Sequence, residues 1–153
     1  MSESQFDPAQ FLDASTTEAN TRRPPLPSGT VLQGIILDIT SRAWQGKKDP
    51  TQSGVALDIK IQCQVTPDLQ SQGQPAELQM TDGIMLDLSP SGTIDMAPGK
   101  NNKLRRYRES TDLNVPGQAF SPRMLIGKVV KVKTKVEPYE GEMYDRVDSI
   151  AHV

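Results

Sequence analysis

Cys63 and His152 are the only cysteine and the only histidine among 153 residues. A zinc site draws several such ligands together, so none can form within one chain. A lone cysteine has no internal disulfide open to it. A nucleophile–histidine triad would have to use a residue next to the end of the chain. The stretch "FSPRMLIGKVV" contains Gly127-Lys128, yet Pro122 stands where a phosphate-binding loop needs its first glycine. Val129 likewise replaces the required Ser or Thr. No residue pattern asks for a cofactor, and we read the chain as non-enzymatic. The chemistry left to it is binding.

Three groups of residues suit an anionic partner. The first is "SRAWQGKKDP", which holds the only tryptophan. With Trp44 as a stacking platform, Arg42, Lys47 and Lys48 would meet phosphates. The plain alternative is an indole folded onto the core edge among solvated neighbours. The second group is Lys131, Lys133 and Lys135, which alternate with Val130, Val132 and Thr134. Period-two spacing puts them on one sheet face about 7 Å apart, near the phosphate repeat of an extended strand. Lysines that protect an exposed sheet edge would look the same. The third is "PGKNNKLRRYRESTD", where Lys100, Lys103, Arg105, Arg106 and Arg108 have only Glu109 close by. Like charges three and four apart strain a helix. They call for an anionic partner or for acidic loops of the same protein. Trp44, Tyr107, Tyr139 and Tyr144 are the candidate stacking platforms. With aromatic content at 5%, binding would be led by phosphate contacts and would be strongly salt-dependent.

These groups need elements to hold them. Residues 55–65, "VALDIKIQCQV", alternate without a break, so a strand with one buried and one wet face is expected, Cys63 on the buried side. Residues 30–40 read as a strand with Val31, Ile35, Leu37 and Ile39 on one face, and Gly34 permits a bulge or bend. The tryptophan stretch is then a loop of about a dozen residues between these strands. Residues 66–76 read as a polar loop, and 84–88 with 93–96 as a hairpin around "SPSG". Residues 98–112 are the one substantial helix, with Leu104, Tyr107 and Thr111 as its inward stripe. Residues 124–136 form a long strand, and "EMYDRVDSIAHV" returns after "EPYEG".

We therefore expect a mainly β protein with one helix, an OB-like five-stranded Greek-key barrel over 30–153. The helix falls between the third and fourth strands, its usual place in that fold, and the loops after the first and fourth strands are the usual nucleic-acid clamps. Residues 1–29 form an extended N-terminal arm. Asp7 caps a short helix around Pro8–Leu12, and "RRPPLP" is a proline-rich linker. Phe6, Phe11 and Leu12 are placed to dock that turn on the domain or on a neighbouring copy, so a homo-oligomer is open.

Composition agrees with a lean core: 35% of residues are apolar and 12 are proline. No apolar run approaches the ~18 residues that span a membrane, and residues 1–20 lack a secretory layout, so a cytoplasmic protein is expected. The net charge of −2 hides segregation. Residues 1–96 carry six basic and twelve acidic residues, 97–136 ten and two, and 137–153 one and five. A basic middle between acidic flanks makes a directed field.

At "FDPAQFLDASTTEAN", "RAWQGKKDPTQSGVALDI", "IMLDLSPSGTIDMAPGKNNKLRRYRE" and "GKVVKVKTKVEPYEGEMYDRVDSI" the chain resembles a family of small bacteriophage proteins. Some of that type are regarded as single-stranded DNA-binding proteins of phage replication and recombination with an OB-like core. The resemblance implies a non-enzymatic single-strand binder in the host cytoplasm, with single-stranded DNA and phage replication or recombination proteins as partners. Such binders often end in a flexible acidic tail. Here Met143, Tyr144, Val147 and Ile150 interleave the acids, so the end reads as a strand, and the N-terminal arm is the segment left to recruit partners. The competing class is a virion structural or accessory protein, with the arm and the basic band making protein contacts.

Overall fold

The alternation at 55–65 makes β2 (Ser53–Gln64), whose Leu57, Ile59, Ile61 and Cys63 are all buried. The computed structural model describes residues 6–49, 51 and 53–153. Around β2 the chain adds β1 (Val31–Gln45), β3 (Glu77–Leu86), β4 (Val129–Tyr139) and β5 (Glu142–Ala151). Every neighbouring pair is antiparallel, in the order β3-β2-β1-β4-β5. The sheet is open: β3 and β5 are its two edges. They come within 8 Å between α-carbons without forming a ladder. The protein is thus mainly β with few helices, and the closed barrel expected from the sequence is not formed.

Among the described residues three α-helices stand outside the sheet. α1 (Pro8–Leu12) has the expected Asp7 cap, whose carboxylate accepts from the N–H of Ala9 at 3.0 Å and of Gln10 at 3.3 Å. α2 (Pro67–Ser71) lies within the segment expected to be all loop, with Pro67 starting it. α3 (Asn102–Ser110) is the substantial helix, nine residues long. The hairpin expected at 84–96 contracts to a single bridge, Leu88 to Ile94, because its first half is drawn into β3 against β2. The strand expected from 124 starts at Val129. Pro122–Leu125 instead form a 3₁₀ turn that buries Leu125.

Strand β1 departs most from expectation. Leu32 and Ile36 face the core, whereas Val31, Ile35 and Leu37 are exposed. A register shift between Ile36 and Asp38 then inserts Leu37 as an extra residue and returns Ile39 to the core side. Gly34 is not the bulge. A Cβ there would lie 2.6 Å from Ile61 Cγ2, so glycine lets β2 pack close.

The proline-rich stretch is not a free linker. Leu26 is fully buried in the core, a burial that stabilises by about 1.5–3 kcal/mol. Arg23 grips both carboxylate oxygens of Asp145 on β5, at 2.5 and 2.6 Å, and the Leu26 N–H donates to the same carboxylate at 2.7 Å. Gln74 donates to Pro24 O at 2.6 Å. Residues 23–27 are therefore a strap across the domain. On the far side of the seam α3 packs against β5 and β3, and Tyr107 donates to Asp82 of β3 at 2.6 Å.

Burial alone would raise the Asp145 pKa. The Arg23 hydrogen bond, the Leu26 N–H and the charges of Arg23 and Arg22 outweigh it and hold the group below the ordinary aspartate range. A depressed folded-state pKa stabilises above the unfolded value of about 3.9 and is lost as pH falls through the folded one. Asp145→Asn should therefore cost about 1.5–3 kcal/mol at pH 7. The gap to wild type should narrow near pH 3, as read from urea midpoints at both pH values.

Candidate nucleic-acid interface

Beyond the bulge, Asp38, Thr40, Arg42 and Trp44 alternate onto the outward side of β1. There they lie beside Lys60, Asp58, Ala56 and Gly54 of β2. The tryptophan is thus in a paired strand and not in a loop, because pairing continues through Trp44 opposite Gly54 to Gln45 opposite Ser53. Its indole lies on Gly54. A Cβ at that glycine would stand 2.7 Å from Trp44 Nε1. The ring is half-buried, and its N–H is enclosed without an acceptor among the described residues. Arg42 pairs with Asp58 at 2.8 Å. A Cβ at Gly83 of β3 would come within 3.2 Å of that aspartate and 3.6 Å of Arg42 Nη2, so glycine lets the pair lie across three strands. Lys47 and Lys48 are exposed in the turn that follows.

Lys131 and Lys133 are exposed on the outward side of β4, flanked by Gln33 and Val31 of β1 and by Ala151 and Ser149 of β5. Lys135 differs from them. Its ammonium meets Glu137 at 2.8 Å, and Arg146 reaches the same carboxylate at 3.3 Å. The Lys135 hydrogen bond, with help from both cations, holds Glu137 below the usual glutamate range and raises Lys135 in turn. Farther along, Tyr139 is exposed and meets Tyr144 edge-on, with centroids 6.1 Å apart. The Arg22 guanidinium sits 4.3 Å from the Tyr144 ring centre.

Two helix residues leave the candidate set. Tyr107 is 1% exposed and Arg108 8%, so neither can meet a nucleic acid. Burial pushes the Tyr107 phenol well above its ordinary range, and burial also raises Asp82. Arg108 stacks over Phe120 at 4.3 Å and donates from Nε to Leu113 O. Its position was legible, because Leu104, Arg108 and Thr111 fall at i, i+4 and i+7 on one helix face. Lys103 and Arg106 remain exposed and line crevices along residues 147–152 at the end of β5. Arg105 faces the other side and reaches Glu109 at 3.8 Å.

The lysine strand and the tryptophan do not form one site. Lys131 and Lys133 lie opposite Gln33 and Val31, whereas Trp44 is at the other end of β1, about 35 Å farther along an extended strand. Lys131 and Lys133 instead share the end of β5 with Lys103 and Arg106. Trp44 has a different partner. Register carries the outward surface of β2 and β3 from Gly54 and Met85, through Gly83 beside Asp58, to Thr81 beside Lys60 and Gln79 beside Gln62. Gln79 and Thr81 then line a groove of about 460 Å³ with Tyr139, Tyr144, Arg146 and Arg23. One surface thus has Trp44 at one end and a tyrosine pair at the other. Lys60 and Arg146 were missed by sequence reasoning. The even-position alternation of β2 marked Lys60 as solvent-facing, but nothing local tied Arg146 to β3.

No family model matches the chain, and no curated protein is significantly similar to it. Among the described residues, no helix is long and apolar enough to cross a membrane.

The lone tryptophan makes the hairpin observable. Gly54→Ala should push the indole off its seat, cost about 1–3 kcal/mol and shift Trp44 fluorescence to longer wavelength. An unchanged spectrum would mean that the indole does not rest on this glycine.

Proposed function

We propose that this chain is a non-enzymatic single-stranded DNA-binding protein with an OB-like arrangement, acting in phage DNA replication or recombination. The observation that carries the reading is the β2–β3 surface bounded by Trp44 and by Tyr139 with Tyr144. The strand order β3-β2-β1-β4-β5, with α3 between β3 and β4, matches an OB barrel opened between β3 and β5. In that fold the second and third strands and the two hairpin loops take up oligonucleotides. The phage setting and the host cytoplasm rest on the sequence resemblance.

Bases would stack on Trp44 and on the tyrosine pair, each stack contributing about 1–3 kcal/mol. The enclosed Trp44 N–H gains an acceptor if the ring turns toward a bound strand. From the level of Gly54 to that of Thr81 the surface runs about 20 Å, suited to a short site of about four nucleotides. Among the described residues Lys47, Lys48 and Lys60 form no ion pair and are ready for phosphates. Arg42 and Arg146 would have to share theirs with Asp58 and Glu137. Lys131, Lys133, Lys103 and Arg106 would form a second phosphate rail along β5.

A virion structural or accessory role is favoured by a different observation, the exposed Phe6, Phe11 and Leu12 of the arm.

Anisotropy of a labelled oligothymidine of about 30 nucleotides, long enough for several such sites, tests the reading at two salt concentrations with duplex as control. We expect preference for the single strand, steep weakening with salt, and a loss of about ten-fold or more for Trp44→Ala. Lys131→Glu with Lys133→Glu should weaken binding to all sequences alike. If that pair costs more than Trp44→Ala, the strand lies along β5 instead. No binding at low salt would overturn the proposal.

A further inference from the structure

An apolar groove of about 640 Å³ opens where β2, β3 and α3 meet, floored by Leu57, Leu86, Ile94, Leu104 and Phe120. That volume lies within the range that seats ligands. Its rim continues past exposed Met96 to Lys100 and Arg105, with Asp95 also on this stretch. Nothing in the nucleic-acid reading uses it.

The arm is its chemical complement. Every residue from Phe6 to Arg22 is exposed. The Phe6 and Phe11 rings meet at a tilt with centroids 5.3 Å apart and form one apolar knob, with Leu12 beside it 85% exposed. Residues 6–21 carry Asp7, Asp13 and Glu18 and no cation. An apolar, acidic segment without a partner thus stands on the same molecule as an apolar groove with cations at its rim. Exposed apolar clusters of this kind mark interaction sites.

We propose that the Phe6–Leu12 segment of one copy seats in the Leu57–Phe120 groove of a second copy. Phe6, Phe11 and Leu12 would enter the groove, with Asp7 and Asp13 meeting Lys100 and Arg105. A second copy is the better occupant on geometry. The arm is anchored where Arg22 holds Met143 O and Glu142, by the strap that meets β3 near Gln79. The groove lies at Leu86, about 24 Å farther along that strand. The tether 13–21 spans at most about 32 Å, so reaching its own groove would take up about three quarters of its full extension. A neighbour's groove imposes no such cost. The contact is heterologous, knob of one copy into groove of the next, so it builds chains unless a ring closes. The inference stands apart from the nucleic-acid reading.

Sedimentation velocity of the full chain without nucleic acid, over a range of concentrations, tests it. Wild type should gain mass with concentration, and less so at high salt. Phe6→Ser with Phe11→Ser removes the knob, and Met96→Glu spoils the groove rim. Both change exposed residues and leave the core intact. Each alone should weaken association more than about ten-fold. Mixed together, they should restore one good contact and yield dimers but no larger species. Wild type that stays monomeric, association indifferent to both variants, or mixtures that do not complement would each overturn the proposal. A monomer whose arm resists protease, but not once the phenylalanines are replaced, would assign the groove to the chain's own arm and likewise overturn it.

Discussion

The edges of β3 and β5 lie against each other without pairing, and side chains do the work that a ladder would otherwise do. Unpaired strand edges invite other chains unless they are covered. Here Arg23 bridges to Asp145 and Leu26 fills the core beneath, while Tyr107 of α3 ties down Asp82 from the other side. The helix and the strap exist in their places because of that seam. So does the groove in which Gln79 and Thr81 face Tyr139 and Tyr144.

The seam also shapes the electrostatics. Cations near it are mostly spoken for: Arg23 by Asp145, Arg146 and Lys135 by Glu137, Arg22 by Glu142. An anionic ligand there must compete with carboxylates already in place. Lys131 and Lys133 face outward and form no ion pair among the described residues, while Lys103 and Arg106 border the end of β5 in a crevice that also holds Asp82 and Asp148. The basic middle of the chain is therefore divided. Part of it is neutralised inside the protein, and Arg108 is spent on packing against Phe120.

The bulge at Leu37 has a comparable reach. Before it, even-numbered residues of β1 face the core. After it odd-numbered ones do, so Arg42 and Trp44 emerge on the outward side. A one-residue shift exchanges the two faces of a strand. Without it the indole would point into the core side of the hairpin, and the surface of β2 and β3 would lose its platform. Val31 and Ile35, which precede it, lie on the outward side and are exposed.

Local signals were enough for whatever depends on near neighbours. The strict alternation of β2 and the Asp7-Pro8 helix start follow from backbone preferences a few residues long. So does the helix around Leu104 with Tyr107 inward, whereas Arg108, expected among the anion-facing cations, is buried. Long-range pairing decided the rest. β1 extends through Trp44 because β2 offers it partners, and glycine at 54 gives the indole a seat. Whether β3 meets β5 as a ladder or across a stitched seam depends on residues more than sixty positions apart, which no periodicity records. The separation of Trp44 from Lys131 and Lys133 has the same origin. They are neighbours in chemistry, but strand register sets them at opposite ends of β1.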